Sequence, residues 1–356
     1  LETIILEKLK ALFVGDLHIH PHARDWSRVT DALEAFAWAL DVYEKEGCNH
    51  LFFLGDWQHN KRTIHSSIAY YSQNLLAMAA ERGVRITMIT GNHDCPLIVN
   101  PDYSYGWLSN DIAHVLDRPF SYQYEDCDVY AVPFYGPADR LRKVVMDVIA
   151  KRHEITKNKP AYFLGHLDVI GGRMAGNHKS DHGLTPTVLN KNFDWSFLGH
   201  YHVRHQIGSN IQYVGSLLTT RHNEEGPRGV TVFENGEMKF IQNTFSPKHI
   251  TLTVPEICKE TCYGNFVRVR ISDDQEPKEL TRKIQAFGPR RIELLPSVTS
   301  DLFGDEEEGQ LVFDRRSDEL SEHAILDNWV NMACPPNLDK NRLLDEGKDI
   351  LEEVGI

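Results

Sequence analysis

Short apolar runs recur along the chain, and several stop at Gly followed by a polar residue. They are ALFVGD (11–16), HLFFLGD (50–56), RITMITGNHD (85–94), AYFLGH (161–166) and WSFLGH (195–200). Short runs of β-branched and aromatic residues with a Gly stop read as buried strands. Between the first two, 27–47 spaces Val29, Leu33, Phe36, Ala37, Leu40, Val42 and Tyr43 on a roughly helical period and ends at Gly47. That pattern predicts a helix. Residues 64–82 repeat it before Gly83, and 138–152 form a third helical pattern. Buried strands alternating with helices imply an α/β core with at least partly parallel sheets. VYAVPFYG (129–136), IQYVGS (211–216) and VTVFENGEMKFIQ (230–242) also read as strands. The last contains a Glu-Asn-Gly turn, a hairpin signal. A second, more antiparallel sheet is therefore expected. The fold class is an α/β two-sheet sandwich flanked by helices.

The pattern changes after Ser246-Pro247. Residues 266–295 read strand, helix, strand, a small α+β unit. SDLFGDEEEG (300–309) has the composition of an exposed acidic linker. Helical patterns follow at 318–333 and 338–354, separated by Pro335-Pro336. The expected domains are 1–250, a smaller 251–300, and 301–356 with the linker and C-terminal helices.

Composition narrows the class without choosing a chemistry. The chain has 356 residues, 41% hydrophobic and 25% charged, which excludes collagen-like, disulfide-scaffold and wholly disordered proteins. No apolar run approaches the roughly 18 residues of a membrane span. LETIILEKLK carries two Glu and two Lys and does not read as a secretory signal. The six Cys are scattered, and are expected to be free thiols in a reducing cytoplasm. The net charge is −13, but residues 301–356 hold 16 acids and 5 bases, leaving 35 acids and 33 bases for residues 1–300. Acidity is thus mostly a property of the tail. It argues against a sequence-independent DNA-coating protein, but not against a nucleic-acid enzyme whose positive charge comes from metal.

The candidate chemistry lies at the strand ends. Asp16-x-His18, Gly55-Asp56, Gly91-Asn92-His93-Asp94, Gly165-His166 and Gly199-His200-x-His202 each follow an apolar run. Ligands bind at the carboxyl ends of strands in open α/β sheets. On an extended chain, residues i and i+2 share a side, so Asp16 with His18, and His200 with His202, can each present two groups to one place. A single Gly-His or Asp-x-His carries little weight, since most histidines fill ordinary surface or core roles; five such elements in series carry much more. Two carboxylates, one amide oxygen and four imidazoles suit two divalent first-row metals. Their excess positive charge calls for an anion, and phosphate is the natural candidate.

The series DLH, GD, GNHD, GH, GHYH resembles the calcineurin-like metallophosphoesterase superfamily over residues 11–242. The resemblance implies one metal held by Asp16, His18, Asp56 and His202. It implies a second held by Asp56, Asn92, His166 and His200, with Asp56 bridging. His93 resembles the family's phosphate-facing histidine. GDWQH (55–59) resembles the G-D-x-x-H element of SbcD-type DNA double-strand break repair nucleases, which makes His59 a second catalytic candidate. In that subfamily the 266–295 unit would be a capping domain, and the terminal helices would bind an SMC-like ATPase. The resemblance therefore implies a cytoplasmic, two-metal DNA exonuclease and endonuclease of repair and recombination. It implies manganese, although the ligands alone would also accept zinc or iron. Its partners would be DNA, the ATPase and a second copy met through helices 27–47 and 64–82, with no membrane. The alternatives are a small-substrate phosphatase or cyclic-nucleotide phosphodiesterase, which needs neither His59 nor the C-terminal 100 or so residues, and a non-catalytic scaffold, which does not need a complete ligand set.

Other residues carry weaker signals. His20 and His22 read as neighbours of the site rather than ligands. Lys61, Arg62, Arg173, Lys179, Arg204 and Arg221 follow motif strands and could meet phosphates, but each also reads as an ordinary solvated charge. Asp94, His205 and, more weakly, Asp168 could orient ligating imidazoles. The Gly-rich loop 171–183 reads as a flexible substrate-facing loop, not a P-loop.

Overall fold

The computed structural model describes residues 5–21, 25–61, 63–95, 113–155, 159–174, 178–224, 226–272, 275–296, 340–342 and 344. The strands are β1 (Ile5–Leu6), β2 (Lys10–Val14), β3 (His50–Phe53), β4 (Ile86–Ile89), β5 (Ala113–Leu116), β6 (Phe120–Tyr124), β7 (Asp128–Val132), β8 (Ala161–His166), β9 (Trp195–Gly199), β10 (His205–Ile207), β11 (Ile211–Tyr213), β12 (Gly229–Glu234), β13 (Glu237–Gln242), β14 (His249–Thr253), β15 (Phe266–Ile271) and β16 (Arg291–Pro296). The helices are α1 (Ser27–Glu46), α2 (Ser66–Glu81), α3 (Ala138–Ile155), α4 (Pro186–Asn190), α5 (Lys259–Cys262) and α6 (Pro277–Gln285).

The apolar runs sort into two large sheets. The first has the order β13-β12-β2-β3-β4-β5, and the second β1-β6-β7-β8-β9-β11-β10. Phe13, Phe52 and Phe233 of the first sheet interlock with Leu164 and Phe197 of the second. The Phe13 and Phe197 rings stack with centroids 4.2 Å apart. The outer face of the first sheet packs on α1 and α2 through Phe36, Leu40 and Leu76. The outer face of the second packs on α3 and α4 through Val145, Ile149 and Leu189. The result is a helix–sheet–sheet–helix sandwich, as expected.

Two expectations need correction. The 229–242 hairpin does not join a separate antiparallel sheet. Its β12 pairs antiparallel with β2, Thr231 opposite Phe13. Five of the six β12 residues are buried, and a strand apolar on both sides belongs inside a sheet. The second sheet is also mainly parallel, with β7, β8, β9 and β11 running the same way. Helices α3 and α4 provide the crossovers that parallel pairing requires.

Helix ends have local causes. Gly47 closes α1 in the left-handed conformation at φ 67°, its N–H reaching the Glu44 and Tyr43 carbonyls. α2 starts two residues later than the periodicity suggested. His65 is extended there, and its imidazole accepts the Ser67 N–H, satisfying one free donor of the first turn.

A third sheet, β14-β15-β16, is all parallel and packs α6 over its own apolar core of Leu252, Val267, Val269, Leu280 and Ile284. Arg290 pairs with Asp31 of α1 at 2.9 Å. The Arg28 guanidinium lies 4.6 Å from the Phe266 ring centroid. Leu1–Ser300 form one compact unit and Asp301–Ile356 a second. The expected acidic linker and C-terminal helices lie outside the described residues, apart from 340–342 and 344, which are helical. Among the described residues no helix is long and apolar enough to cross a membrane.

Candidate metal centre

The two large sheets present the carboxyl ends of five strands to one place. Asp16 and His18 follow β2, Asp56 follows β3, and Asn92 and His93 follow β4. From the other sheet come His166, the last residue of β8, and His200 and His202, after β9. The glycines before these polar residues have a steric cause. A Cβ on Gly91 would sit 2.2 Å from Asp56 Oδ1, and one on Gly199 would sit 2.1 Å from the Leu54 carbonyl oxygen. The strand ends are too close for any side chain at these positions.

The backbone carrying the polar groups is not extended. Asp16, His18, Asp56 and His200 have φ values of 48°, 46°, 59° and 91°, a region costly for residues other than glycine. Main-chain bonds hold it: Asp16 N–H reaches the Gly55 carbonyl, and Leu17 and His18 N–H reach that of Asp56, at 3.0–3.1 Å. The i, i+2 argument therefore fails for one pair. Asp16 and His18 meet in one group, but His200 and His202 separate into two.

Among the described residues three groups have their ligand atoms within 4.8 Å of one another: Asp16, His18, His202; Asp56, His166, His200; and His18, His59, His93. In the first, the Nε2 atoms of His18 and His202 stand 2.9 Å apart. In the second, Asn92 Oδ1 lies 2.9 Å from His166 Nε2 and 3.0 Å from His200 Nδ1. One oxygen, Asp56 Oδ2, is 3.5 Å from both His18 Nε2 and His166 Nε2 and so stands between these two groups.

The outward nitrogens are committed. His166 Nδ1–H donates to the Leu54 carbonyl at 2.7 Å. His200 Nε2–H donates to Asp168 Oδ1 at 3.1 Å, and His202 Nδ1–H donates to Glu224 Oε1. Each bond fixes a tautomer and leaves the other nitrogen as an inward lone pair, as metal-ligating histidines require. Buried carboxylates, an amide oxygen and imidazole lone pairs converging on one point fit two divalent cations.

The charges are interdependent. Burial alone would raise the Asp56 carboxyl, but His166, His93 and His18 hold it well below the usual carboxylate range. Burial raises Asp16 and would lower His166, which Asp56 and Asp16 instead pull up to about 9. The carboxylates thus call for positive charge. Burial pushes His93 down to about 4.

His93 and His59 adjoin the first group. The His93 N–H donates to Asp56 Oδ1 at 2.9 Å, and its Nδ1–H bonds the His59 carbonyl. The His59 ring centroid is 5.2 Å from that of His93 and 5.4 Å from that of His18. His20 lies behind, its ring 5.1 Å from His59. His22 and Arg62 lie outside the described residues.

The supporting residues differ from expectation. Asp94 orients no imidazole in the bonds described. It accepts the N–H groups of Asp56, Trp57 and Gly91 at 2.6–2.9 Å, tying the loop after β3 to the loop after β4. His205 accepts the Arg173 N–H and donates to the Val203 carbonyl. Asp168 does hold His200, and also accepts the Tyr201 hydroxyl at 2.5 Å. Arg204 points into the sheet, donating to Thr231 Oγ1 at 2.6 Å and stacking on Phe240. The loop from Gly171 folds on itself, with Gly171 N–H bonded to the Ser180 carbonyl at 2.8 Å. Glu224 was missed altogether. It lies 22 residues beyond His202 in a loop, with no apolar run to flag it.

A family model described as calcineurin-like phosphoesterase matches residues 9–204. Among solved structures the chain is similar to a dimetal phosphatase from Danio rerio, with 11% identity, 66% of this chain and 96% of that one covered, and a TM-score of 0.44. It is also similar to the phosphopantetheinyl hydrolase of Mycobacterium tuberculosis, with 14% identity, coverages of 60% and 92%, and a TM-score of 0.38. A third is the nuclease MPE of Pseudomonas putida, with 17% identity, coverages of 48% and 66%, and a TM-score of 0.26. No curated protein sequence matches the chain.

Proposed function

Because the chain belongs to the calcineurin-like phosphoesterase family, a family of metal-dependent phosphoester hydrolases, we propose that its substrate is DNA and that it is the nuclease subunit of an SMC-like ATPase–nuclease complex in repair and recombination. Asp16, His18, Asp56 and His202 would hold one divalent cation, manganese by resemblance, and Asp56, Asn92, His166 and His200 the other. Two such ions supply positive charge for a phosphodiester and acidify water at neutral pH.

The protein's own groups then orient the substrate. His93 has committed Nδ1–H to the His59 carbonyl, so Nε2 would be the nitrogen that exchanges a proton with the leaving oxygen. Burial keeps that imidazole neutral in the free protein, and the charge of an arriving phosphate raises its basicity. His59 sets the strand end against the centre.

The observation that carries this reading is the packing of His59 against His93 and His18. His59 belongs with His18 and His93 to a third cluster, one without a carboxylate, and an imidazole cluster beside the two carboxylate-bearing groups suits a substrate larger than a small ester. Two further features support it. The small third sheet would be the capping domain, and the exposed Trp26, Ile64, Tyr70 and Tyr71 around α1 and α2 offer apolar surface for the proposed homodimer. The ATPase contact is assigned to the C-terminal helices, and the location to the cytoplasm.

The test is an assay of purified protein with manganese on single-stranded DNA, duplex ends and p-nitrophenyl phosphate esters. Cleavage of both DNA forms is expected, with the esters turned over far more slowly. Vigorous hydrolysis of the monoester with intact DNA would replace this reading with a phosphatase.

A further inference from the structure

The Nδ1–H of His202 donates to Glu224, in a segment, 219–224, that carries neither helix nor strand. This loop is held from two sides. Inward, Thr220 donates its N–H to Glu224 Oε2 and its hydroxyl to Oε1, both at 2.8 Å. These bonds fix the carboxylate relative to the backbone at 220. Outward, the adjacent Thr219 meets the small third-sheet domain. Its hydroxyl oxygen accepts the His249 N–H of β14 at 3.1 Å. Its own proton has the Pro247 carbonyl and His249 Nδ1 as acceptors, each at 3.3 Å. The His222 imidazole adds a bond to the Ile250 carbonyl at 3.2 Å. A bonded path thus runs from β14 through Thr219, Thr220 and Glu224 to His202.

The outward contact is buried and braced. Thr219 is 7% exposed. Its carbonyl accepts Arg28 Nη2 of α1 at 3.0 Å, and Arg28 lies against Phe266 of the small domain. The His249 ring stacks on Phe266 with centroids 4.5 Å apart. Burial, with the charge of Arg28 nearby, pushes that imidazole down to about 2, so it stays neutral in this contact. If the loop and the domain separated, a buried hydroxyl and a buried N–H would lose their partners, which is costly. The two therefore move together. The other ligand group has no such tie, since His166 is held by the Leu54 carbonyl and His200 by Asp168, both outside the loop.

Resting on the two-cation reading above, we propose that Thr219 is a positioning residue for the cation of the Asp16, His18 and His202 group. By tying the 219–224 loop to β14 it keeps Glu224 on His202, so the small domain sets the affinity of that cation and not of the other. Anything that draws the domain off Thr219 loosens one ion of the pair.

Manganese titration of the full chain, with the free ion followed by electron paramagnetic resonance, tests this. The parent protein should bind two ions. Thr219→Val keeps nearly the same side-chain shape without the hydroxyl. It should weaken one ion by about tenfold or more, the scale of a lost contact behind a ligating histidine, and leave the other unchanged. Thr219→Ser should restore most of the affinity. Equal weakening of both ions, no weakening of either, or a serine variant as weak as the valine one would overturn the coupling. Coupling is reciprocal, so the unmutated chain decides independently should the valine variant fold poorly. Manganese added to the metal-free chain should slow hydrogen exchange of the 248–253 amides by about fivefold or more, and Glu224→Gln should abolish that slowing. Exchange in β14 that ignores manganese would refute the inference. Fewer than two ions on the parent protein would end the two-cation reading and this inference with it, whereas two ions indifferent to Thr219 would end the inference alone.

Discussion

The two ligand groups are built from similar atoms but secured differently. In the group of Asp56, His166 and His200, His166 is fully buried and fixed by a main-chain carbonyl, that of Leu54 at the end of β3. No substitution at Leu54 can remove that acceptor. In the group of Asp16, His18 and His202, His202 is fixed by the Glu224 side chain, from a loop beyond the matched segment 9–204. The Asp56 group thus has one histidine held by the sheet itself and one, His200, held by the part-exposed Asp168. The Asp16 group depends on a single carboxylate contributed from elsewhere, and is therefore open to change by one substitution.

Asp56→Asn should have the largest effect, because its Oδ2 serves both groups. Removing its charge takes away the shared counter-charge for both cations. Near-complete loss of manganese-dependent cleavage is expected with the fold retained, as circular dichroism would show. A variant cutting at a comparable rate would end the two-cation assignment.

Glu224→Gln should rank second and act on one group alone. Loss of a carboxylate behind a ligating histidine typically costs about 10–100-fold in metal affinity or activity. Elemental analysis should find the metal content falling towards one ion per chain. Asp168→Asn is the control for the other group. Asp168 is 19% exposed where Glu224 is 1%, so water can replace its bond to His200 and the loss should stay below about tenfold. Equal losses from the two variants would erase the distinction.

His59→Ser should leave metal content normal. A flexible single strand can bend to reach the centre, whereas a stiff duplex end must be positioned. Duplex-end degradation should therefore fall by about 10²-fold, the scale of a positioning effect, and single-strand cleavage by much less. Parallel losses on the two substrates would contradict the positioning role. The smallest effect on chemistry is expected from deleting 310–356. Intrinsic nuclease activity should persist while co-purification with an SMC-like ATPase disappears. Aggregation of the truncated chain would show instead that these helices pack on the rest.

The sandwich was legible because its strands are unbroken apolar runs ending in Gly and a polar residue, and the structure gives those glycines a steric cause. All seven ligand candidates carried that signal or stood within three residues of it. Three things were not legible in spacing or local pattern. The sheet joined by the 229–242 hairpin depends on which edge is free, and β12 fits beside β2 because both are buried on two faces. The separation of His200 from His202 was implied by the family resemblance but not by their spacing, since it depends on a left-handed backbone at His200, which local sequence does not announce in a residue other than Gly. Glu224 has no local pattern, since its role is defined only when the loop folds back on His202. Asp94 stood in the right motif but acts on backbone N–H groups, so its residue type was informative and its partner was not.

The His200 N–H donates to Asp16 at 3.1 Å across 184 positions of sequence. Closing a loop of that length costs about 4.6 kcal/mol beyond a constant, so the centre exists only once the second sheet has formed against the first. This separation also sets a delay during synthesis. At about 5–20 residues per second, a growing chain displays Asp16 roughly 9–37 seconds before it can display His200. During that interval it comes to carry Asp16, His18, Asp56 and Asn92, and towards its end His166, but lacks the His200 and His202 that complete the two carboxylate-bearing groups. A chain not yet extended past His202 therefore lacks part of both carboxylate-bearing groups, and the order of residues alone keeps the centre unassembled over that interval.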